Sequence, residues 1–252
     1  MKNVLFGLSM SLLLVIVACD DNQTTQPPPP SNDNRDMTLH LQDMSPHVGQ
    51  LVELRIVSSG NQLQAQVILD PLPSSQTDMV IKSSVPEGAH RLDFFADLNM
   101  DDSYDPPPED HAWRLDLPAT GGVDVTFSHN IDFTDIDQPS YSDLGSEFRL
   151  DLFGFNPHVG QLFEMRIIHT ESGRTVGQYR LDVIPNHDFD IEIRDIIQSG
   201  AQYQIDLYAD LNGNERYDAP PIDHAWRVMA TGTAEGLDVS FTHNITFTYI
   251  DF

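Results

Sequence analysis

The sequence predicts an all-β protein made of two consecutive, homologous β-sandwiches. Three observations predict it: strict alternation of apolar and polar side chains, an internal duplication, and no segment of helical period. The alternation is clearest late in each copy. Leu237, Val239, Phe241, His243, Ile245, Phe247 and Tyr249 are interleaved with Asp238, Ser240, Thr242, Asn244, Thr246 and Thr248. Val123, Val125, Phe127, His129, Ile131 and Phe133 behave likewise upstream. Residues two apart share one face of a strand, so such runs bury one face and wet the other. Shorter runs predict strands near 37–42, 51–58, 62–70, 78–84, 90–98 and 111–117, with counterparts near 148–153, 162–169, 177–184, 189–194, 201–211 and 224–230.

The duplication sets the domain organisation. Pro46-His47-Val48-Gly49-Gln50-Leu51 recurs 111 residues later as Pro157-His158-Val159-Gly160-Gln161-Leu162. Asp110-His111-Ala112-Trp113-Arg114 recurs as Asp223-His224-Ala225-Trp226-Arg227, and His129-Asn130-Ile131 as His243-Asn244-Ile245, at offsets of 113 and 114. So small a drift means two copies of one domain with minor loop insertions. Repeat 1 is placed at 36–137, a linker at 138–145 and repeat 2 at 146–252. Seven short strands in each copy resemble immunoglobulin-like or transthyretin-like sandwiches.

The first eighteen residues carry Lys2, a mainly apolar run from Val4 to Val17 and no acid. That is the pattern of a secretion signal, and it is shorter than the roughly 20 apolar residues a membrane span needs. Its end, Ile16-Val17-Ala18-Cys19, resembles the lipobox of bacterial lipoproteins, which implies cleavage after residue 18 and a lipid on Cys19. Residues 19–35, with four consecutive prolines at 27–30, are expected to form a disordered tether. Acids directly after the cysteine resemble inner-membrane retention signals in some bacteria and surface-export signals in others. The expected location is the cell envelope, at the outer membrane or cell surface.

The chain carries 39 acidic and 13 basic residues, net −26, and loss of Lys2 with the signal makes it −27. That balance excludes nucleic acid as a main partner and leaves the lipid, not electrostatic adhesion, to hold the membrane. Cys19 is the single cysteine, so no intrachain disulfide fastens the loops.

Bound ions are one alternative fastener. Asp97, Asn99, Asp101 and Asp105 place oxygens at positions one, three, five and nine of a loop, and Asp210, Asn212, Asn214 and Asp218 repeat the pattern. Both loops resemble the calcium loops of EF-hands and dockerins, with Asp110 and Asp223 standing in for the missing final glutamate. The resemblance implies one calcium per repeat, against the alternative of solvated turns stabilised by Asp and Asn alone. Six repeated histidines, His47, His111 and His129 with His158, His224 and His243, are expected near one pole. They are either neutral hydrogen-bonded residues, with Asp93, Asp110 or a carbonyl as partner, or ligands for zinc or copper. Trp113 and Trp226 are expected in the cores, and Arg114 and Arg227 beside Glu53 and Glu164.

No nucleophile elbow, phosphate loop or His-Glu-x-x-His is present. The sequence therefore predicts a non-enzymatic, calcium-stabilised envelope module that binds an envelope protein or glycan, or acts as a spacer. The alternatives are a metal-handling protein using the histidines, or a carbohydrate-active or adhesive surface lipoprotein.

Overall fold

A computed structural model describes residues 34–136 and 145–252. The secretion signal, Cys19, most of the tether and all of the linker but Gly145 lie outside the described residues. Among the described residues, fourteen strands and two single-turn 3-10 segments make up the regular structure. Repeat 1 contributes β1 (Arg35–Gln42), β2 (Val52–Ser58), β3 (Leu63–Asp70), β4 (Thr77–Val85), β5 (His90–Ala96), β6 (His111–Leu117) and β7 (Val123–Ser128). Repeat 2 contributes β8 (Ser146–Phe153), β9 (Phe163–His169), β10 (Arg174–Leu181), β11 (Phe189–Ile197), β12 (Gln202–Ala209), β13 (His224–Thr231) and β14 (Leu237–Thr242). The chain is thus all-β. Its first strand already begins at Arg35, inside the expected tether.

Each repeat has a small sheet, ordered β4-β1-β7 or β11-β8-β14, but the two large sheets are one. Their strands run β13-β12-β9-β10-β3-β2-β5-β6, joined where β10 pairs in parallel with β3, its own counterpart. Parallel pairing of equivalent strands turns the second repeat over. Thus β3 directs Ala65, Val67 and Leu69 into the first core and Ile68 into the second. A strand with two buried faces must be a near-continuous apolar run, as Val67-Ile68-Leu69 is. Tyr179 of β10 donates its hydroxyl to Asp70 Oδ2 across the seam at 2.6 Å, and burial raises its pKa.

The seam also aligns the poles. Strand pairing runs from His111 through Ala96, Val52 and Leu69 to Arg180, and from Leu181 through Phe163 and Ala209 to His224. The segments carrying both histidine sets therefore lie at one end of the shared sheet. Arg35 lies at the other, where its guanidinium donates to the carbonyls of Pro86, Pro118 and Gly121.

Two expectations are corrected. The alternating pattern continues to Phe133 and Tyr249, yet β7 ends at Ser128 and β14 at Thr242. Each ends level with its partner, Ser128 opposite Gln42 and Thr242 opposite Phe153, and the last ladder bonds are His129 N–H to Gln42 O at 2.9 Å and His243 N–H to Phe153 O at 2.8 Å. Beyond them Ile131 and Ile245 are 80 % and 84 % exposed, so alternation there no longer marks a buried face. Arg114 and Arg227 do not meet Glu53 and Glu164. They form two-bond pairs with buried Asp93 and Asp206, their cross-strand neighbours, at 2.6–3.0 Å. Glu53 pairs with Arg55 and Glu164 with Arg180.

One shared sheet predicts one unfolding unit. Calorimetry should give a single transition with equal van't Hoff and calorimetric enthalpies, and Tyr179→Phe should cost about 1 kcal/mol by removing a seam hydrogen bond. Two resolved transitions would mean the repeats unfold independently.

Candidate metal centres

The geometry of each pole follows from the short segment after its first strand. Pro46 and Pro157 open the 3-10 turns Ser45–His47 and Asn156–His158, which carry His47 and His158 inward to 1 % and 0 % exposure. Gly49 and Gly160 follow at φ +89° and +88°, values that side-chain-bearing residues rarely adopt. These glycines reverse the chain so that Gln50 and Gln161 come back over the rings. His47 Nδ1 lies 2.9 Å from Gln50 Oε1, and His158 Nδ1 lies 2.8 Å from Gln161 Oε1. An amide oxygen only accepts, so each Nδ1 carries the proton and each Nε2 presents a lone pair. The partner is thus glutamine, not the expected Asp93, Asp110 or carbonyl.

The lone pairs face two further imidazoles. His111 opens β6 and brings Nδ1 to 3.4 Å from His47 Nε2. In repeat 2, His158 Nε2 is 3.2 Å from His224 Nδ1 and 3.1 Å from His243 Nε2. His129 completes the first trio, its ring 5.1 Å from His47, and its buried Nε2 has no hydrogen-bond partner. In each trio the three nitrogens lie within 4.8 Å of one another. Zinc–imidazole bonds of about 2.0–2.1 Å at tetrahedral angles place ligand nitrogens about 3.3–3.4 Å apart. Three of the six nitrogen pairs, at 3.1–3.4 Å, already approach that spacing, and the others lie within 4.8 Å.

Aromatic packing fixes the other rings. His111 stacks on Phe133 at 3.9 Å and His224 on Phe247 at 4.0 Å. Trp113 and Trp226 form the floor, with Trp113 5.5 Å from the His47 ring and Trp226 5.8 Å from His158. Their indole N–H groups donate to Asn130 O and Asn244 O at 3.2 and 3.0 Å, fixing the backbone next to the third histidine. The tryptophans are core residues, as expected, and also neighbours of the trios.

The acidic loops are organised differently. Asp97 accepts backbone N–H bonds from Met100 and Asp102, and Asp110 from Leu98 and Asp105, at 2.7–3.0 Å. Asp210 and Asp223 repeat this with Gly213, Glu215, Leu211 and Asp218 at 2.7–2.9 Å. These buried carboxylates thus staple the loops through their own backbone amides. The exposed Asn99 amide donates to Asp101 and Asp105, each at 3.0 Å, while Asn212 and Asn214 both donate to Asp218 at 2.8 Å. Among the described residues the histidine trios, and not the loop carboxylates, gather three imidazole, thiol or carboxylate donors within 4.8 Å.

Residue type alone singled out the histidines, but not the glutamines that set their tautomers or the rings that hold them. The legible signal was His-x-x-Gln, repeated intact in a segment that is otherwise all turn.

No protein-family model matches the chain, and no curated protein matches it. Among solved structures, a candidate adhesin from Bacteroides ovatus is 10 % identical, covers 86 % of this chain and 91 % of its own, and has a TM-score of 0.23. A candidate cell adhesion protein from Parabacteroides distasonis is 13 % identical, with 88 % and 91 % covered and a TM-score of 0.24. Scores of this size do not mark a shared arrangement of strands.

Burial is the leading cause lowering the pKa of His47, His111, His158, His224 and His243 from 6.5. A histidine whose folded pKa is depressed gains its protons first in the unfolded chain. The associated stability is complete above pH 6.5 and lost as pH falls through the lower folded values. The melting temperature of metal-free protein should therefore fall on acidification from about pH 7 to about pH 5. Replacing His158 with Gln should flatten that slope; a wild-type melting temperature constant across the window would contradict it.

Proposed function

We propose that this chain is a non-enzymatic, lipid-anchored protein of the bacterial cell envelope that binds transition-metal ions at its two three-histidine centres. The observation that carries the reading is the lone-pair geometry. In both repeats a glutamine fixes the protonated nitrogen of the buried histidine, and the free nitrogen faces two more imidazoles at the same pole. A second hydrogen bond that orients a ligating imidazole is the usual support of a metal site. Imidazole donors suit zinc and copper, and for His47, His111, His158, His224 and His243 burial favours the neutral form that ligation requires. The lipid anchor rests on the Ile16-Val17-Ala18-Cys19 motif.

Calcium at the acidic loops is a second reading, favoured in repeat 1 by Asp101 and Asp105 converging on one amide nitrogen. One titration separates the two. The chain's two tryptophans each border one centre, so copper(II) added to stripped protein should quench both and saturate at two ions per chain. His47→Ala should remove one ion, and Gln50→Leu should weaken its binding about 10- to 100-fold. Calcium should leave the fluorescence unchanged whether or not it raises the melting temperature. Absence of quenching, with no zinc retained on dialysis, would end the transition-metal reading. Mass spectrometry of membrane-extracted protein tests the anchor: a free Cys19 thiol or a retained Lys2 segment would refute it.

A further inference from the structure

The two centres differ at one adjoining position. Just before the 3-10 turn, repeat 1 has Met44 where repeat 2 has Phe155. The backbone there is the same in both: φ −77°, ψ 18° for Met44 and φ −78°, ψ 21° for Phe155. Each carbonyl accepts the N–H of its histidine, Met44 from His47 at 2.9 Å and Phe155 from His158 at 2.8 Å. Both side chains are fully buried, Met44 in the core cluster of Trp113 and Phe155 in that of Trp226. From this place the Phe155 ring reaches the second centre: it lies 5.6 Å from His243, 6.0 Å from His158 and 5.7 Å from Trp226. The side chain in the equivalent place of repeat 1 ends in a thioether.

We propose that Met44 makes the first centre selective for copper(I), its sulfur joining three imidazoles, and that Phe155 leaves the second centre nitrogen-only and suited to zinc. The proposal rests on the metal-binding reading above and adds which ion each centre prefers. A thioether is a soft donor that favours copper(I), whereas an aromatic ring in its place supplies no ligand. Methionine is unbranched with three rotatable bonds, so its sulfur can swing toward an ion without moving the backbone.

The test uses the full chain with one centre disabled at a time. In the His158→Ala background only the first centre remains, and in the His47→Ala background only the second. Copper(I), held reduced and competed against a chromogenic copper(I) chelator, should bind the first centre on the order of tenfold or more tighter than the second. Zinc should show no such preference for the first. Met44→Phe in the first centre should lower copper(I) affinity to that of the second while zinc affinity holds, and Phe155→Met in the second should raise it. Each change installs the residue its twin already accommodates. X-ray absorption at the copper edge should show a sulfur scatterer that Met44→Phe removes. The proposal is overturned if Met44→Phe leaves copper(I) affinity unchanged while zinc still binds. If Met44→Phe loses both metals, Phe155→Met decides: no gain in copper(I) affinity overturns it. Failure of both wild-type centres to bind either ion would instead refute the metal-binding reading itself.

Discussion

In each repeat the first strand ends at the histidine pole. At Gln42 and at Phe153 the chain leaves the small sheet for a proline-led 3-10 turn, and the pole is built from the consequences. The strand that had paired with it loses its partner, so the chain carrying His129 or His243 lifts off the sheet after one last ladder bond. The turn lowers His47 or His158 into the gap, and the glycine at positive φ brings the glutamine back over it. The first residue of β6 or β13 then supplies the third ring. Three distant parts of the sequence meet because the first strand of each repeat gives way to a turn at this pole.

Burial gives the meeting its chemistry. An imidazole taken out of water gives up its proton more readily, and each centre is floored by tryptophan and flanked by phenylalanine. Neutral nitrogens can face one another at hydrogen-bond distance, which three cations could not. The surrounding acidity, net −26 over the chain, favours cations at the surface without supplying the donor set. The four buried loop aspartates are engaged with backbone amides. Their work is to order long loops in a chain that has no disulfide to do so.

Alternation and duplication made the strands legible, because a half-buried strand writes its two faces directly into residue order. The shared sheet was less legible. Which strands pair across the repeats depends on β3 being apolar on both faces, and a brief run such as Val67-Ile68-Leu69 is short enough to pass for part of an ordinary strand. The histidines stood out by recurrence, but their partners did not. Gln50 and Gln161 are unremarked polar residues until the turn folds them back, and Phe133 and Phe247 fit the alternation while lying beyond the strands. The reach expected of Arg114 and Arg227 failed for a simple reason: the cross-strand neighbours of their own strands, Asp93 and Asp206, are nearer than Glu53 and Glu164.

X-ray absorption at the zinc edge, on protein loaded with two zinc ions per chain, reads the donor atoms of the two centres directly. Two three-histidine centres predict a first shell dominated by nitrogen at about 2.0–2.1 Å with the outer-shell scattering of several imidazole rings, lost when His47 and His158 are both replaced by Ala. A shell of oxygen alone, unchanged by those substitutions, would place the metal on the acidic loops and contradict the three-histidine reading.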